Sequence, residues 1–513
     1  MLSDPLDNLS ILDALLGPEA DPVTAGYRLR ELAEGPSESG PAIIARLHQN
    51  QGVVGRSDPA ILGGLLRVIH TLVLRDADRS LPVIDPFVVC QVESSLPAET
   101  PNRHLLLHLL AMNQSEESLR ALVQRLHVDP PKKWLDAAQV LSPMMQRDNW
   151  PIHAVFPELL LCLQYPSLAA PLLDLANFLV RTGRVDEHPA VEQIDALNHL
   201  LGEVSNRLAK FEENPKSFGD EVEVVQATLS EAVALAVSLC DAVALIGDES
   251  SISKLNQTVE LRHRRVQCEA AGALARFGDD LGKKRILELS EDPAARLRAI
   301  AYADELDFGD DIDEKFRTPE SLAEAELALW LSQPQQMSVP PTGIEVIDSR
   351  RMMWPSFNDP VDVFLVRFEY NFGERSYSNV GIAGPVAFAF STDVAELPVD
   401  DIYSIYAGWH ADHPEIFTVA ADQFNEAQTR AIEPFTQHLQ HLGYEAIKPA
   451  LLGFFLDEQA GVFTARRDHT DCVVVTDGLE TVDHPIAGRL RPLSPDDIFN
   501  LFKGRKMIRT FNP

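Results

Sequence analysis

The sequence predicts a mainly α protein: a helical-repeat array over about residues 1–333, then an α+β domain over 361–513 with an antiparallel or mixed sheet. Three observations predict it. Gly-Asp pairs recur 31 residues apart, at Gly247-Asp248, Gly278-Asp279 and Gly309-Asp310, each preceded by an apolar residue (Ile246, Phe277, Phe308). A fixed period of that length marks stacked helical units, each too small to bury its own apolar face. Upstream, apolar residues fall at helical spacing between proline-marked breaks; from Val361 the period changes to two.

Taking the elements in order, residues 1–230 are expected to form successive helices with degenerate repeats. Ile61, Leu65, Val68, Ile69 and Leu72 define one face, Leu105, Leu106, Leu109 and Leu110 a second, and Leu119, Leu122, Val123 and Leu126 a third. Breaks are expected at Pro82, Pro86, Pro101, Pro130-Pro131, Pro151 and Pro166, and a longer loop over 211–220. The regular repeats occupy 231–333. In the best unit a helix is expected from His263 to Phe277, with Val266, Ala270, Leu274 and Phe277 on one face. Gly278 can adopt the left-handed conformation that ends a helix, and Asp279 can cap the next one. Asp292-Pro293 is an N-cap followed by proline at the first helical position. There Arg265 aligns with Arg296 and Ala270 with Ala301, but Asp304 and Glu305 replace Ala273 and Leu274, which suggests a terminal unit.

The run from Arg264 to Leu274, closing with Phe277-Gly278-Asp279, resembles HEAT-like repeats of the type named after phycobilin lyases, over about 232–310. The resemblance implies a right-handed α-solenoid whose surface binds other proteins. Some proteins with such repeats attach bilins, but no bilin site is legible here and that activity is not carried over.

Residues 334–360, with Pro334, Pro340-Pro341, Pro355 and Pro360, are expected to be a rigid connection. In the α+β domain Phe364, Val366, Phe368 and Tyr370 share one side of a strand, while Val361, Val363 and Leu365 make the other side apolar, as in a central strand. Further strands are expected at Val386–Phe390, 450–456, 461–465 and 472–476, with helices at 401–406, 422–442 and 496–502. The glycine-punctuated stretch Asn379–Pro385 could cradle a phosphate, but no helix follows it; a turn or bulge explains it better.

Composition bounds the function. The 45% hydrophobic and 24% charged fractions are those of an ordinary globular chain, long enough for about two to four domains. A net charge of −33, from 77 acids against 44 bases, repels phosphate backbones and anionic lipid, so neither nucleic acid nor membrane is expected as a partner. No stretch is expected to span a membrane, and the opening Met1–Asp7 is not expected to act as a secretory signal. Five cysteines without a Cys-x-x-Cys exclude a zinc ribbon; four of the five read as small core residues, and reduced thiols are those expected of a cytoplasmic protein. No Walker A loop, nucleophile elbow or dinucleotide fingerprint is present.

Two clusters contain metal-ligand residue types, His410, Asp412, His413 and Glu415 in one and Asp468, His469 and Asp471 in the other. Neither has a defined ligand spacing, so no metal and no cofactor are expected. Arg264, Arg265, Arg296 and Arg298 could form a ridge toward an acidic protein partner, or pair internally with Glu269, Glu288 and Glu291. The basic tail from Lys503 to Arg509 could dock on the protein's own acidic surface. The favoured expectation is a protein-binding scaffold or adaptor. The alternative is an enzyme or ligand-binding protein, possibly metal-dependent, with its site in the C-terminal domain.

Overall fold

The structure is a computed structural model and describes residues 5–17, 22–75, 82–333, 335–373, 375–486, 488 and 491–512. The reading of Met1–Asp7 lies partly, and that of Pro334 wholly, outside them. The chain divides into two compact units, Met1–Lys283 and Lys284–Pro513.

The first unit is entirely helical among its described residues. Its helices are α1 (Pro5–Leu15), α2 (Pro22–Ala33), α3 (Ser39–Gln49), α4 (Gln51–Val54), α5 (Pro59–Leu74), α6 (Pro86–Ser95), α7 (His104–Asn113) and α8 (Glu116–Val128). There follow α9 (Trp134–Leu141), α10 (Pro143–Gln146), α11 (Pro166–Arg181), α12 (Ile194–Glu213), α13 (Val222–Ile246), α14 (Ile252–Thr258) and α15 (Arg264–Arg276). Helices α5, α7, α9, α11, α13 and α15 pack one against the next in a row. A second row runs behind them, in which α3 meets α6, α6 meets α8, and α12 meets α14. Alternate helices in two rows are what short amphipathic segments produce when each buries its stripe on both neighbours.

The glycine-aspartate pairs punctuate this array as the sequence implies, twice. Gly247 and Gly278 have φ of +76° and +77°. Asp248 then accepts from the Ser250 N–H and Asp279 from the Leu281 N–H, both at 2.8 Å. The third pair departs from the pattern. The left-handed residue there is Asp307, φ +60°. Gly309 serves packing instead: a Cβ would lie 2.1 Å from Asp304 Oδ1, which pairs with Arg317.

No stretch is expected to be free of charge over a membrane's width; among the described residues one helix, α13, is long and apolar enough by length and composition to cross a membrane, with Glu231 and Asp241 interrupting it. It is tied into the array by polar side chains. The Asn177 amide donates to Ser238 O at 3.0 Å, the Ser238 hydroxyl to Asp174 at 2.6 Å, and Arg181 Nε to Asp241 at 3.0 Å.

Helix α16 (Asp280–Leu289) carries the division between units. The second unit then contains α17 (Pro293–Glu305), α18 (Pro319–Leu331), and two antiparallel sheets. The first sheet has the order β1-β2-β3: β1 (Gly343–Met352), β2 (Val361–Phe372) and β3 (Arg375–Ala383). The second runs β4 to β8 in chain order: β4 (Ile416–Ala420), β5 (Glu445–Phe455), β6 (Glu458–Arg467), β7 (Thr470–Thr476) and β8 (Thr481–Pro485). Helices α19 (Val399–His410), α20 (Glu426–His441) and α21 (Pro495–Phe511) complete it.

The layers follow from the strand faces. Strand β2 is central and apolar on both sides, as expected. Phe364, Val366, Phe368 and Tyr370 pack on Ala323, Leu327 and Leu331 of α18. Val363 and Leu365 face a core shared with Tyr403 and Tyr406 of α19, Phe499 and Phe502 of α21, and Val462 and Val473 of the second sheet. Helix α20 covers the far side of that sheet through Ile432 and Leu439. The order is therefore α18, sheet, α19 with α21, sheet, α20. Helices α19 and α21 approach so closely that Cβ atoms at Gly408 and Gly504 would lie 1.9 Å from Asn500 O and 1.7 Å from Ser404 O.

Four sequence readings are corrected. Residues 334–360 are not only a connection, because Gly343–Met352 forms β1; a bulge between Val346 and Asp348 breaks the alternation that would have revealed it. The last helix of the expected array, α18, instead covers the first sheet. Val386–Phe390 makes only a bridge from Phe388 to Ile382, and Asn379–Ala383, expected as a turn, is the buried end of β3. The turn begins at Gly384, φ +105°.

Candidate functional site

A cleft of about 340 Å³ opens in the first unit where α6 to α9 end, lined by residues 98–104, Asp129–Lys133, Asp136, Glu93 and Leu107. Its wall is held by one buried carboxylate. Glu93, with 3% of its side chain exposed, accepts from Arg103 Nη2 at 2.7 Å and from Arg125 Nε at 2.8 Å. The same Arg103 nitrogen donates to Asp129 at 2.7 Å. Two guanidinium groups thus link α6, the start of α7 and the end of α8 around one acid. A buried carboxylate is tolerated only with such compensation.

Several donors in this cleft are left over. The Thr100 hydroxyl and Arg103 Nε are buried without a hydrogen-bond partner. Lys133 is the N-cap of α9 and gives it no side-chain cap, so among the described residues no side chain closes its first N–H groups. Lys132 and Lys133 are exposed at its rim. His104, by contrast, is occupied at both ring nitrogens, by Gln139 Oε1 at 3.1 Å and Asp136 at 3.5 Å. Behind it, His108 Nδ1 and His70 Nε2 lie 3.0 Å apart, and burial lowers both pKa values, that of His108 to about 4. These are neutral packing histidines and not free bases.

A cysteine–histidine pair lies nearby in sequence. Cys162 Sγ is 3.4 Å from His127 Nδ1, and His127 Nε2 is 3.1 Å from Glu158 O. The connectivity is that of an activated nucleophile. However, Cys162 is wholly buried and burial pushes its thiol up to about 11, so it remains a protonated core residue.

The arginines chosen from sequence divide. Arg264 and Arg265 are exposed on α15, Arg264 donating to Gln267 at 3.0 Å and Arg265 partly offsetting the burial that raises the carboxyl pKa of Asp174. Arg298 is exposed on α17 and donates to Tyr302 Oη at 3.0 Å. Arg296 is not a surface contact: it is 4% exposed and donates to Ser290 O at 3.0 Å, Ser321 O at 2.6 Å and Glu291 O at 3.1 Å. Its task is to join α17 to α18.

The metal candidates do not converge. His410 Nδ1 accepts from Trp354 Nε1 at 2.9 Å, His413 Nδ1 from the Glu415 N–H at 3.2 Å, and Asp412 is exposed. Asp468 and His469 are the left-handed residues of the β6–β7 turn, with φ of +49° and +67°. Among the described residues no three His, Cys, Asp or Glu side chains could hold one ion. The basic tail does dock internally: Arg505 pairs with Asp401, Lys506 with Glu458 and Asp477, and Arg509 with Glu480.

No family model, curated protein or solved structure matches this chain.

The cleft was not legible in the sequence. Its clamp joins Glu93, Arg103, Arg125 and Asp129 from three helices, with no motif at any fixed spacing. The only local sign was the Pro130-Pro131-Lys132-Lys133 break.

Proposed function

We propose that this chain is a protein-binding adaptor of the cytosol, and that the helical unit takes a segment of its partner in the cleft between α6 and α9. One observation carries this reading: a pre-built polar cleft keeps unfilled donors, while its histidine is fully engaged. An acidic side chain of the partner would sit between Lys132, Lys133 and the open N-terminus of α9, where charge and helix dipole act together. The resemblance of residues 232–310 to HEAT-like repeats, read from sequence, favours the same reading. The five cysteines, none of them in a disulfide, suit a reducing compartment.

The test is affinity capture of the full chain from native cytosol, compared with a Lys132→Glu/Lys133→Glu variant. Both lysines are exposed, so the variant should fold. A stoichiometric protein recovered by the wild type and lost by the variant is expected. Equal recovery by both would refute the cleft, and no partner with either would refute the adaptor.

A further inference from the structure

The second unit carries a feature unrelated to the cleft. Of the sheet edges, β1 is guarded by Glu345, Asp348, Arg350, Arg351 and a bulge, and β8 by Asp483, His484 and Pro485. β3 is bridged in part by Phe388. Such devices prevent a sheet from adding foreign strands. Strand β4 has none of them. Its sequence is Ile-Phe-Thr-Val-Ala, without charge, proline or bulge, paired in unbroken register with β5 from Ile416↔Phe455 to Ala420↔Leu451.

The geometry defines what this edge offers. The Ile416 N–H turns away from β5 and donates to His413 O at 2.8 Å. By the alternation of an antiparallel ladder, Thr418 and Ala420 then direct their N–H and C=O groups outward. Side chains alternate across the strand. Phe417 is stacked on Phe454, centroids 4.6 Å apart, yet is 48% exposed. On the opposite face the Thr418 hydroxyl donates to Asp496 at 3.5 Å. Exposed Glu415 and Asp422 bracket the strand, and Asp412 stands before it. Glu415, Asp422 and Asp496 have no ion-pair partner among the described residues. The edge thus offers exposed Phe417 on one face and Asp496 beside Thr418 on the other, with Glu415 and Asp422 at its two ends.

We propose that the free edge of β4 is a strand-addition site for an extended basic segment of another protein, with apolar residues against Phe417 alternating with Lys or Arg against Asp496 and its acidic neighbours. Backbone hydrogen bonds hold such a segment and alternate side chains select it. A net charge of −33 attracts it over distance. The proposal goes beyond the cleft and stands on other residues in the other unit.

The test is titration of the full chain with a labelled ten-residue peptide alternating Lys or Arg with Val or Ile, beside a control with Glu at every basic position. Binding of the basic peptide only, with new amide-exchange protection at Thr418 and Ala420, is expected. Thr418→Pro removes an outward N–H, which an edge strand tolerates, and should abolish binding. Glu415→Gln/Asp422→Asn/Asp496→Asn leaves the backbone intact and should weaken binding about tenfold, through three screened charge pairs. The Lys132→Glu/Lys133→Glu variant should bind as the wild type does, which separates this site from the cleft. Undiminished binding by Thr418→Pro would overturn the proposal, because attraction would then come from charge alone. So would absence of binding at low salt, equal binding of the Glu peptide, or a concentration-dependent dimer that Thr418→Pro abolishes.

Discussion

Glu93→Ala should be among the most destabilising substitutions in the helical unit, and the cost follows from what it leaves behind. The carboxylate is 3% exposed, and the side chains of Arg103 and Arg125 are 17% and 16% exposed. Removing the acid leaves two guanidinium groups largely shielded from water with no shared counter-charge. Breaking a buried pair in this way costs about 3–5 kcal/mol. Asp13→Ala is the internal control: its pair with Arg46 is exposed to water on both sides, and such screened surface pairs add little to stability. With two units a single unfolding transition is not assured. The assay is therefore urea-dependent hydrogen exchange of the full chain, read on peptides of the first unit. Replacing Glu93, Arg103 and Arg125 together by apolar residues of similar size should recover most of the loss, since the network's worth lies in compensation. If Glu93→Ala cost no more than Asp13→Ala, the clamp would not be buried in solution and the cleft would not be pre-built.

Three further outcomes are expected. The His70–His108 pair makes the first unit acid-sensitive: the His108 pKa is lowered from 6.5 to about 4, so its stabilisation is complete above about pH 6.5 and lost as pH falls toward 4. That amounts to about 2 kcal/mol by pH 5, and urea midpoints for His108→Gln should vary less with pH than those of the wild type. Gly504→Ala would place a Cβ 1.7 Å from Ser404 O and should destabilise the second unit by at least about 2 kcal/mol, read as a lower thermal midpoint. Arg296→Ala should cost about 3 kcal/mol, because three backbone carbonyls lose their donor, whereas Arg264→Ala should stay within about 0.5 kcal/mol. Denaturation of the two variants side by side checks the contrast.

What could be read in advance was local. Gly278-Asp279 ends one helix and caps the next within a few residues, and the two apolar faces of β2 lie in one short run, so both were legible. Gly309 looked identical to Gly278 because the sequence did not show that Asp304 and Arg317 meet over it. Strand β1 was hidden by its bulge and by prolines on either side. Arg296 aligned with exposed Arg265 but is buried, because α18 rather than solvent lies against that side of α17. The cleft depends on meetings between helices, and so does the β4 edge, which required knowing where each strand lies in its sheet. No composition or spacing encodes those meetings.

The most direct test of the account is a photo-crosslinking residue placed at Glu99, which is exposed and lines the cleft, in the full chain in native cytosol. The same residue at Val222, 77% exposed and away from the cleft lining, is the control. The account predicts one defined protein adduct from Glu99, absent from Val222 and lost when Lys132→Glu/Lys133→Glu is added. An identical adduct pattern from both positions, or none from Glu99, would contradict it.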